Sequence, residues 1–115
     1  MSIQFPDDEN GDVLRRMLES GDDLSLPREI DFTVVFPRER EAAFFAEHFR
    51  KSGYKTKYER SDAVPDLPWD VVVVRFMKPE HAEIGAFEEQ LQRLAEPLGG
   101  RNDGWGCFQQ PPPRS

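Results

Sequence analysis

The sequence predicts an α+β domain in which one helix precedes a β-α-β-β-α-β unit. Three observations predict this class: apolar residues alternate over residues 30–36, four valines lie inside residues 69–77, and two segments between strands repeat apolar residues every three or four positions. A period of two is typical of a half-buried strand, and a period near 3.6 is typical of a helix with one packed face. The 115 residues suffice for one hydrophobic core and not for two.

The first predicted element is a helix over residues 7–20. Acidic residues at its start suit the positive end of a helix dipole, and Gly21 follows as a stop signal. Its apolar residues recur at the spacing of one helical face: Val13, Leu14, Met17 and Leu18.

A strand over residues 30–36 and a helix over residues 38–52 follow. Pro37 ends the strand and suits the first turn of the helix, and Gly53 suits the position just after its end. One face of this helix is apolar, formed by Ala42, Phe45, Ala46 and Phe49.

Two strands are predicted next, over residues 54–60 and 69–77, joined by a loop with Pro65 and Pro68. Lysines alternate with other residues in the first strand, which is typical of a sheet edge. The second strand has valines on both faces, which is typical of a central, covered strand.

The last helix is predicted over residues 79–96, because it has the clearest helical period of the chain. Gly99 and Gly100 end it, a turn is expected at residues 101–104, and a short strand is expected at residues 105–109. The periodic apolar residues of this helix are Ile84, Phe87, Leu91, Leu94 and Leu98.

Together these elements predict a ferredoxin-like βαββαβ sandwich. Its four strands form an antiparallel sheet with both helices on one face, and the N-terminal helix precedes this unit. We expect residues 1–109 to form this single domain. Residues 110–115 contain three consecutive prolines and are expected to be a disordered tail.

The charge is unevenly distributed along the chain. The formal net charge is −7; residues 1–31 carry nine acidic and three basic side chains, whereas residues 32–60 carry four acidic and seven basic ones. This balance favours a partner with basic residues and disfavours the phosphates of a nucleic acid. A basic patch is expected beside the acidic third: Arg50, Lys51, Lys55, Lys57 and Arg60.

The sequence has no residue pattern for catalysis or metal binding. His48 and His81 lie on different predicted helices, and Cys107 is the one cysteine. A zinc site needs clustered ligands, and covalent catalysis needs a nucleophile beside a base. We therefore expect no enzyme activity and no metal or other cofactor.

The sequence has no pattern for a membrane span or a secretory signal. Its longest apolar run has four residues, Val71 to Val74, whereas a spanning helix needs roughly 20. No basic start with an apolar stretch opens the chain. We expect a cytoplasmic protein without membrane association.

The most distinctive motif is DGWG, formed by Asp103, Gly104, Trp105 and Gly106. Asp-Gly favours a tight turn, and Gly106 would allow another backbone or ring to approach closely. Trp105 is a residue type enriched at binding hot spots. Two interpretations stay open: the tryptophan packs under the end of the sheet, or it contacts a partner.

A ferredoxin-like order that ends in this motif resembles the family called regulator of ribonuclease E activity B (RraB). The resemblance covers residues 8–109 and includes the acidic first helix, the strand after Pro27 and the SGY junction at residues 52–54. It implies a non-catalytic, bacterial, cytoplasmic protein that binds the endoribonuclease RNase E at its degradosome scaffold region. Such binding inhibits the enzyme and alters messenger RNA decay. The four DGWG residues are the positions that match the family's motif.

Two other functions stay open at this level. A ferredoxin-like interaction or immunity-type domain would bind an unrelated protein. An RNA-binding module would use Tyr54 and Tyr58 beside Lys55 and Lys57, although the RNP1 pattern of RNA-binding ferredoxin-like domains is absent. The sequence pI near 4.8 also makes direct binding of nucleic acid the less favoured of the two.

Overall fold

Three helices and four strands make up the part of the chain that the structure, a computed structural model, describes: residues 8–61 and 64–107. A short 3-10 turn, Glu96–Leu98, joins the last helix to the last strand. In chain order the elements are α1 (Glu9–Glu19), β1 (Arg28–Phe36), α2 (Glu39–Lys51), β2 (Lys55–Arg60), β3 (Trp69–Met77), α3 (His81–Ala95) and β4 (Arg101–Cys107).

The four strands form one antiparallel sheet in the order β2-β3-β1-β4. β2 and β3 are consecutive neighbours, and the connections through α2 and α3 place β1 and β4 beside them. This order confirms the predicted α+β class and the βαββαβ arrangement behind a leading helix. Every element except β4 begins and ends within two residues of its prediction.

The hydrophobic core lies between the sheet and α2 and α3. Phe32 of β1 is fully buried, and its ring meets that of Phe87 edge-on at a centroid distance of 4.7 Å. Burying one such side chain stabilises the fold by roughly 1.5–3 kcal/mol. The alternation of β1 puts Ile30, Phe32, Val34 and Phe36 on this side, beneath Phe45, Phe49, Ile84 and Leu91 of the two helices.

Helix α1 is docked on the domain rather than detached from it. Asp8 caps its start by accepting a hydrogen bond from the backbone N–H of Gly11 at 2.7 Å. Leu14 from its apolar face is fully buried and joins the core. Asp8 also contacts His81, the first residue of α3, at 2.9 Å. α1 is therefore held in place by polar contacts at its N-terminal end and by apolar packing at its middle.

A buried ion pair closes the connection from α1 to β1. Arg28 Nη1 lies 2.8 Å from Asp22 Oδ2, and both side chains are almost fully buried. Arg28 also donates to the backbone carbonyls of Asp23 and Leu26. Burial opposes its charged form, but the hydrogen bonds and charges of Asp22 and, to a smaller extent, Cys107 together outweigh this and raise the pKa of Arg28. The guanidinium therefore stays charged and satisfied inside the fold.

The last strand differs from its prediction. The turn expected at residues 101–104 is absent, because β4 runs over Arg101–Cys107 and pairs with β1 along this length. The chain reverses earlier, at Gly99 and Gly100. Gly99 has a φ of 76°, and a Cβ on Gly100 would clash with the ring of Phe36. Residues 108–109, expected in this strand, and the tail at 110–115 lie outside the described residues.

Within the described ranges, none of the helices combines the length and the apolar character that crossing a bilayer would require.

Candidate functional site

The DGWG motif lies on β4, at the edge of the sheet where α1 and α3 meet it. Phe32 of β1 pairs with Trp105, and Val34 pairs with Asn102. Between these pairs, Thr33 of β1 opposes both Asp103 and Gly104 of β4, so that β4 carries one extra residue. This is a β-bulge, and Gly104 has a φ of 102°, in the left-handed region that favours glycine. The Asp-Gly pair forms a bulge in place of the expected turn.

The bulge decides which side chains face the helices. In a regular strand, residues three positions apart point to opposite faces. Because of the extra residue, Asn102 and Trp105 pair with Val34 and Phe32, which both face the core. Asn102 and Trp105 thus lie on the same side of the sheet, toward α1 and α3.

Trp105 has an apolar and a polar environment. Its half-buried ring packs against the core cluster, and its indole Nε1 donates to Asn10 Oδ1 at 2.8 Å. Asn10 lies in the first turn of α1. The tryptophan therefore joins the last strand to the first helix, across 95 positions of sequence.

The polar contacts continue from Asn10 into α3. Asn10 Nδ2 donates to Glu88 Oε1 at 2.7 Å, and Asn102 Nδ2 donates to Glu88 Oε2 at 2.8 Å. We call Asn10, Glu88, Asn102 and Trp105 the Trp105 network. The backbone N–H of Asn102 donates in addition to Gln92 Oε1 at 2.8 Å. Hydrogen bonds linked in this way reinforce one another, so the network fixes the relative positions of α1, α3 and β4.

A groove of about 730 Å³ opens above this network. Arg16 is the basic residue among the side chains that line it, and Trp105 and Val13 supply apolar surface. We call it the acidic groove, because its lining includes five carboxylates: Asp8, Glu9, Asp12, Glu88 and Asp103.

Two carboxylates of the groove, Asp8 and Glu88, are held by hydrogen bonds. The hydrogen bond from Gly11 N–H and the hydrogen bond with His81 lower the pKa of Asp8 below its usual value. Glu88 accepts hydrogen bonds at both oxygens, which holds it in place. A concave, negative surface beside an indole ring suits arginine and lysine side chains, since carboxylates form charge-assisted hydrogen bonds and aromatic faces attract cations.

The two glycines of the motif have different environments. A Cβ on Gly104 would meet no atom within 4 Å, but its positive φ strains any other residue. Gly106 has no positive φ and also has no atom within 4 Å of an added Cβ. Among the described residues, the close approach expected at Gly106 is therefore absent.

The other titratable residues considered in the sequence do not gather into a site. The ring of His48 lies against Phe49, whereas His81 contacts Asp8 at the start of α1. Cys107 is half-buried, and burial raises the pKa of its thiol, which disfavours a reactive thiolate. Residues 8–61 and 64–107 hold no group of three His, Cys, Asp or Glu side chains arranged for a metal ion.

Sequence reasoning missed three members of the Trp105 network. Asn102 falls in the predicted turn, and neither Asn10 nor Glu88 belongs to a recognisable motif. The sequence signal that points to Asn102 is the Asp-Gly pair, which can form a β-bulge as well as a turn, because glycine adopts the left-handed conformation that one class of bulge requires. The contact of Asn10 with Glu88 joins residues 78 positions apart, so local pattern gives no sign of it.

Comparison with known proteins adds a family to this geometry. The family model described as regulator of ribonuclease activity B matches residues 7–107. The match begins next to the cap of α1 and ends with the last residue of β4, so it includes the whole Trp105 network. No curated protein sequence matches the chain.

Proposed function

Because the chain belongs to the RraB family of regulators of ribonuclease activity, we propose that it is a non-catalytic regulator that binds a protein partner. The partner we propose is the endoribonuclease RNase E, at its degradosome scaffold region. Occupation of that region would inhibit the enzyme and slow messenger RNA decay in the bacterial cytoplasm. We propose further that residues 1–109 act as the one domain responsible.

The observation that supports this proposal best is the acidic groove beside Trp105. A scaffold that binds RNA carries basic residues, and an acidic surface steers and holds such a partner. The groove has five carboxylates and one arginine among its lining residues. The half-buried indole of Trp105 adds an anchor of the type that dominates binding energy at protein interfaces.

The DGWG residues have distinct roles in this proposal. Asp103 is exposed on the rim of the groove and is proposed to contact the partner directly. Gly104 supports the bulge, and Trp105 forms part of the lining. Gly106 pairs with Asp31 on β1 and is proposed to contribute least.

A protein partner is favoured over direct binding of RNA. An RNA-binding ferredoxin-like domain stacks bases on exposed aromatic side chains of its sheet. Here Tyr54 and Tyr58 pack against the core cluster, so they are unsuited to stacking. Lys55 and Lys57 share their sheet face with exposed carboxylates, which would repel a phosphate backbone.

The proposal is tested by calorimetric titration of the chain with the C-terminal scaffold region of the host's RNase E. We expect a complex at about 50 mM salt that weakens at least several-fold at about 300 mM, because exposed charges are screened beyond a Debye length. In a parallel assay, the cleavage of RNA by full-length RNase E should slow when the chain is added. Absence of binding at tens of micromolar and low salt would contradict the proposal.

A further inference from the structure

The sheet face opposite the helices carries a regular pattern of side chains that the proposed function does not use. We call it the open face. The register places residues of β2, β3 and β1 side by side, so that Lys55, Val74 and Asp31 form one row across the sheet. Along the strands these rows give three columns: basic (Lys55, Lys57), apolar (Val72, Val74, Phe76) and acidic (Glu29, Asp31). The next row along the strands, Glu59, Asp70 and Val35, ends this pattern.

The open face is accessible, and its centre is apolar. Phe76 is 70% exposed, and the charged residues of both outer columns are exposed. A shallow hollow of about 560 Å³ lies over the valines, between the lysines on one side and the carboxylates on the other. A contiguous apolar stripe bordered by charge indicates an interaction surface.

We propose that the open face binds a second copy of this chain, face to face, about a two-fold axis that runs parallel to β3. The order of the three columns favours this arrangement. The apolar column lies between the basic and the acidic column, so such an axis exchanges the two outer columns. Lys55 of one copy then lies over Asp31 of the other, because the two residues share a row, and Lys57 and Glu29 lie one row to either side of this pair. The valines and Phe76 meet the same residues of the other copy.

Other arrangements of two copies are less favourable. A two-fold axis that lies in the plane between the two copies but runs perpendicular to the strands would leave each column on its own side. Lysines would then lie over lysines. An axis displaced from β3 to the gap between β3 and β1 would set Val74 over Asp31, given their pairing in the sheet. The surface is thus complementary to itself in one arrangement, as an interface with two-fold symmetry requires.

The size of the face predicts a weak dimer. Strands lie about 4.8 Å apart and rise about 3.3 Å per residue, so the four-stranded face covers about 500 Å² in each copy. A standard stable interface buries about 800 Å² per partner. We therefore expect a dissociation constant of about 10–100 μM.

Near one end of the face, like charges oppose the pairing. Asp70 continues the column of β3 and Glu59 that of β2, so this row brings two acidic residues of each copy into the interface. Burial raises the pKa of Asp70 above its usual value. The hydrogen bond with Ser61 lowers this pKa, and the charges of Asp103 and Glu59 raise it. Arg101, which pairs with Val35 in the adjacent strand, is the basic group in this row. Asp70→Asn is therefore expected to tighten the dimer about threefold.

The apolar contact is tested by sedimentation velocity of the full chain over about 5–500 μM. The unchanged chain should shift from monomer to dimer across this range, and Phe76→Ser should weaken the dimer about tenfold. Phe44→Ser is the matched control, because Phe44 is 67% exposed on α2, away from the sheet. A monomer throughout, or a dimer that Phe76→Ser leaves unchanged, would overturn the proposal; the latter would indicate pairing through an edge strand.

The arrangement of the columns is tested by charge reversal and mixing. Lys55→Glu with Lys57→Glu makes both outer columns acidic, and Glu29→Lys with Asp31→Lys makes both basic. Each variant alone should dimerise at least about tenfold more weakly, because like charges then face each other. An equimolar mixture should regain the affinity of the unchanged chain, which also demonstrates that both variants fold. A mixture that stays monomeric while the unchanged chain dimerises would overturn the two-fold axis along β3.

Discussion

Trp105 is the residue on which the candidate site depends most directly. Its ring packs at the edge of the core while its indole N–H reaches α1. The side chain packs against the core cluster and also lines the acidic groove; its contact with a partner stays a prediction. An interface residue that is held by its own domain in this way loses little conformational freedom on binding.

Trp105→Phe is expected to lower the free energy of unfolding by about 1–2 kcal/mol. The substitution keeps an aromatic ring but removes the indole N–H that donates to Asn10. Leaving a partly buried acceptor without its donor costs a fold about 1–2 kcal/mol. Urea unfolding measures the effect. Trp69→Phe is the matched control, because the indole of Trp69 has no hydrogen-bond partner among the described residues. An equal loss in both variants would contradict the role of the Asn10 contact.

At the scale of elements, β4 and α1 mark the limit of what the sequence could predict. Periodicity predicted six of the seven elements to within two residues, because each buries one regular face. It was wrong for the start of β4, since Asp-Gly is read locally as a turn. There, pairing of Arg101 and Asn102 with β1 outweighs local preference. The docking of α1 depends on Asn10 and Trp105, which are too far apart in sequence for any local rule.

The bulge in β4 is tested by two single substitutions in the same motif. Gly104→Ala is expected to destabilise the fold by about 1–2 kcal/mol, because alanine at a φ of 102° is strained. Gly106→Ala is expected to change stability by less than about 0.5 kcal/mol, since its φ is not positive and the added Cβ meets open space. Thermal unfolding compares them. A larger loss for Gly106→Ala than for Gly104→Ala would contradict the assigned bulge.

The attachment of α1 is expected to weaken in acid. The pKa of Asp8 is lowered in the fold, first by the Gly11 N–H and then by His81, so its carboxylate stabilises the folded state above the ordinary value of 3.8. This contribution is lost as the pH falls through the lower, folded pKa. Hydrogen exchange of the α1 amides should therefore accelerate below about pH 4 relative to the amides of β3.

Asp8→Asn is the variant that checks this pH dependence. Asparagine keeps an acceptor for Gly11 but carries no charge, so α1 should exchange faster than in the unchanged chain at pH 7. The difference should shrink as the pH falls through the lowered pKa of Asp8, because the unchanged carboxyl then becomes protonated. A difference that is constant with pH would contradict a role for the charge of Asp8.

In the molecule as a whole, charged residues form two separate surfaces. The acidic groove lies between α1, α3 and β4, and the open face lies on the far side of the sheet. The charges of successive sequence segments predict an acidic region beside a basic one, but they do not predict which charged residues share a surface. Lys55 and Lys57 share a sheet face with Glu29 and Asp31, and this follows from strand order rather than from position along the chain.

Neutralising the exposed acids of the groove tests whether the acidic groove binds the RNase E scaffold region. The groove variant combines Glu9→Gln, Asp12→Asn and Asp103→Asn, and leaves Glu88 in place because it holds the Trp105 network. The control variant changes the net charge equally on exposed residues elsewhere. It combines Glu39→Gln, Glu47→Gln and Glu96→Gln.

The measurement is the affinity of both variants for the RNase E scaffold region, by calorimetry at about 50 mM salt. The groove variant should bind at least about tenfold more weakly than the unchanged chain, since each lost charge pair contributes about 0.2–1 kcal/mol and the three are close together. The control variant should bind within about twofold of the unchanged chain. Equal weakening in the two variants would mean that net charge, and not the acidic groove, governs binding, and would contradict this account.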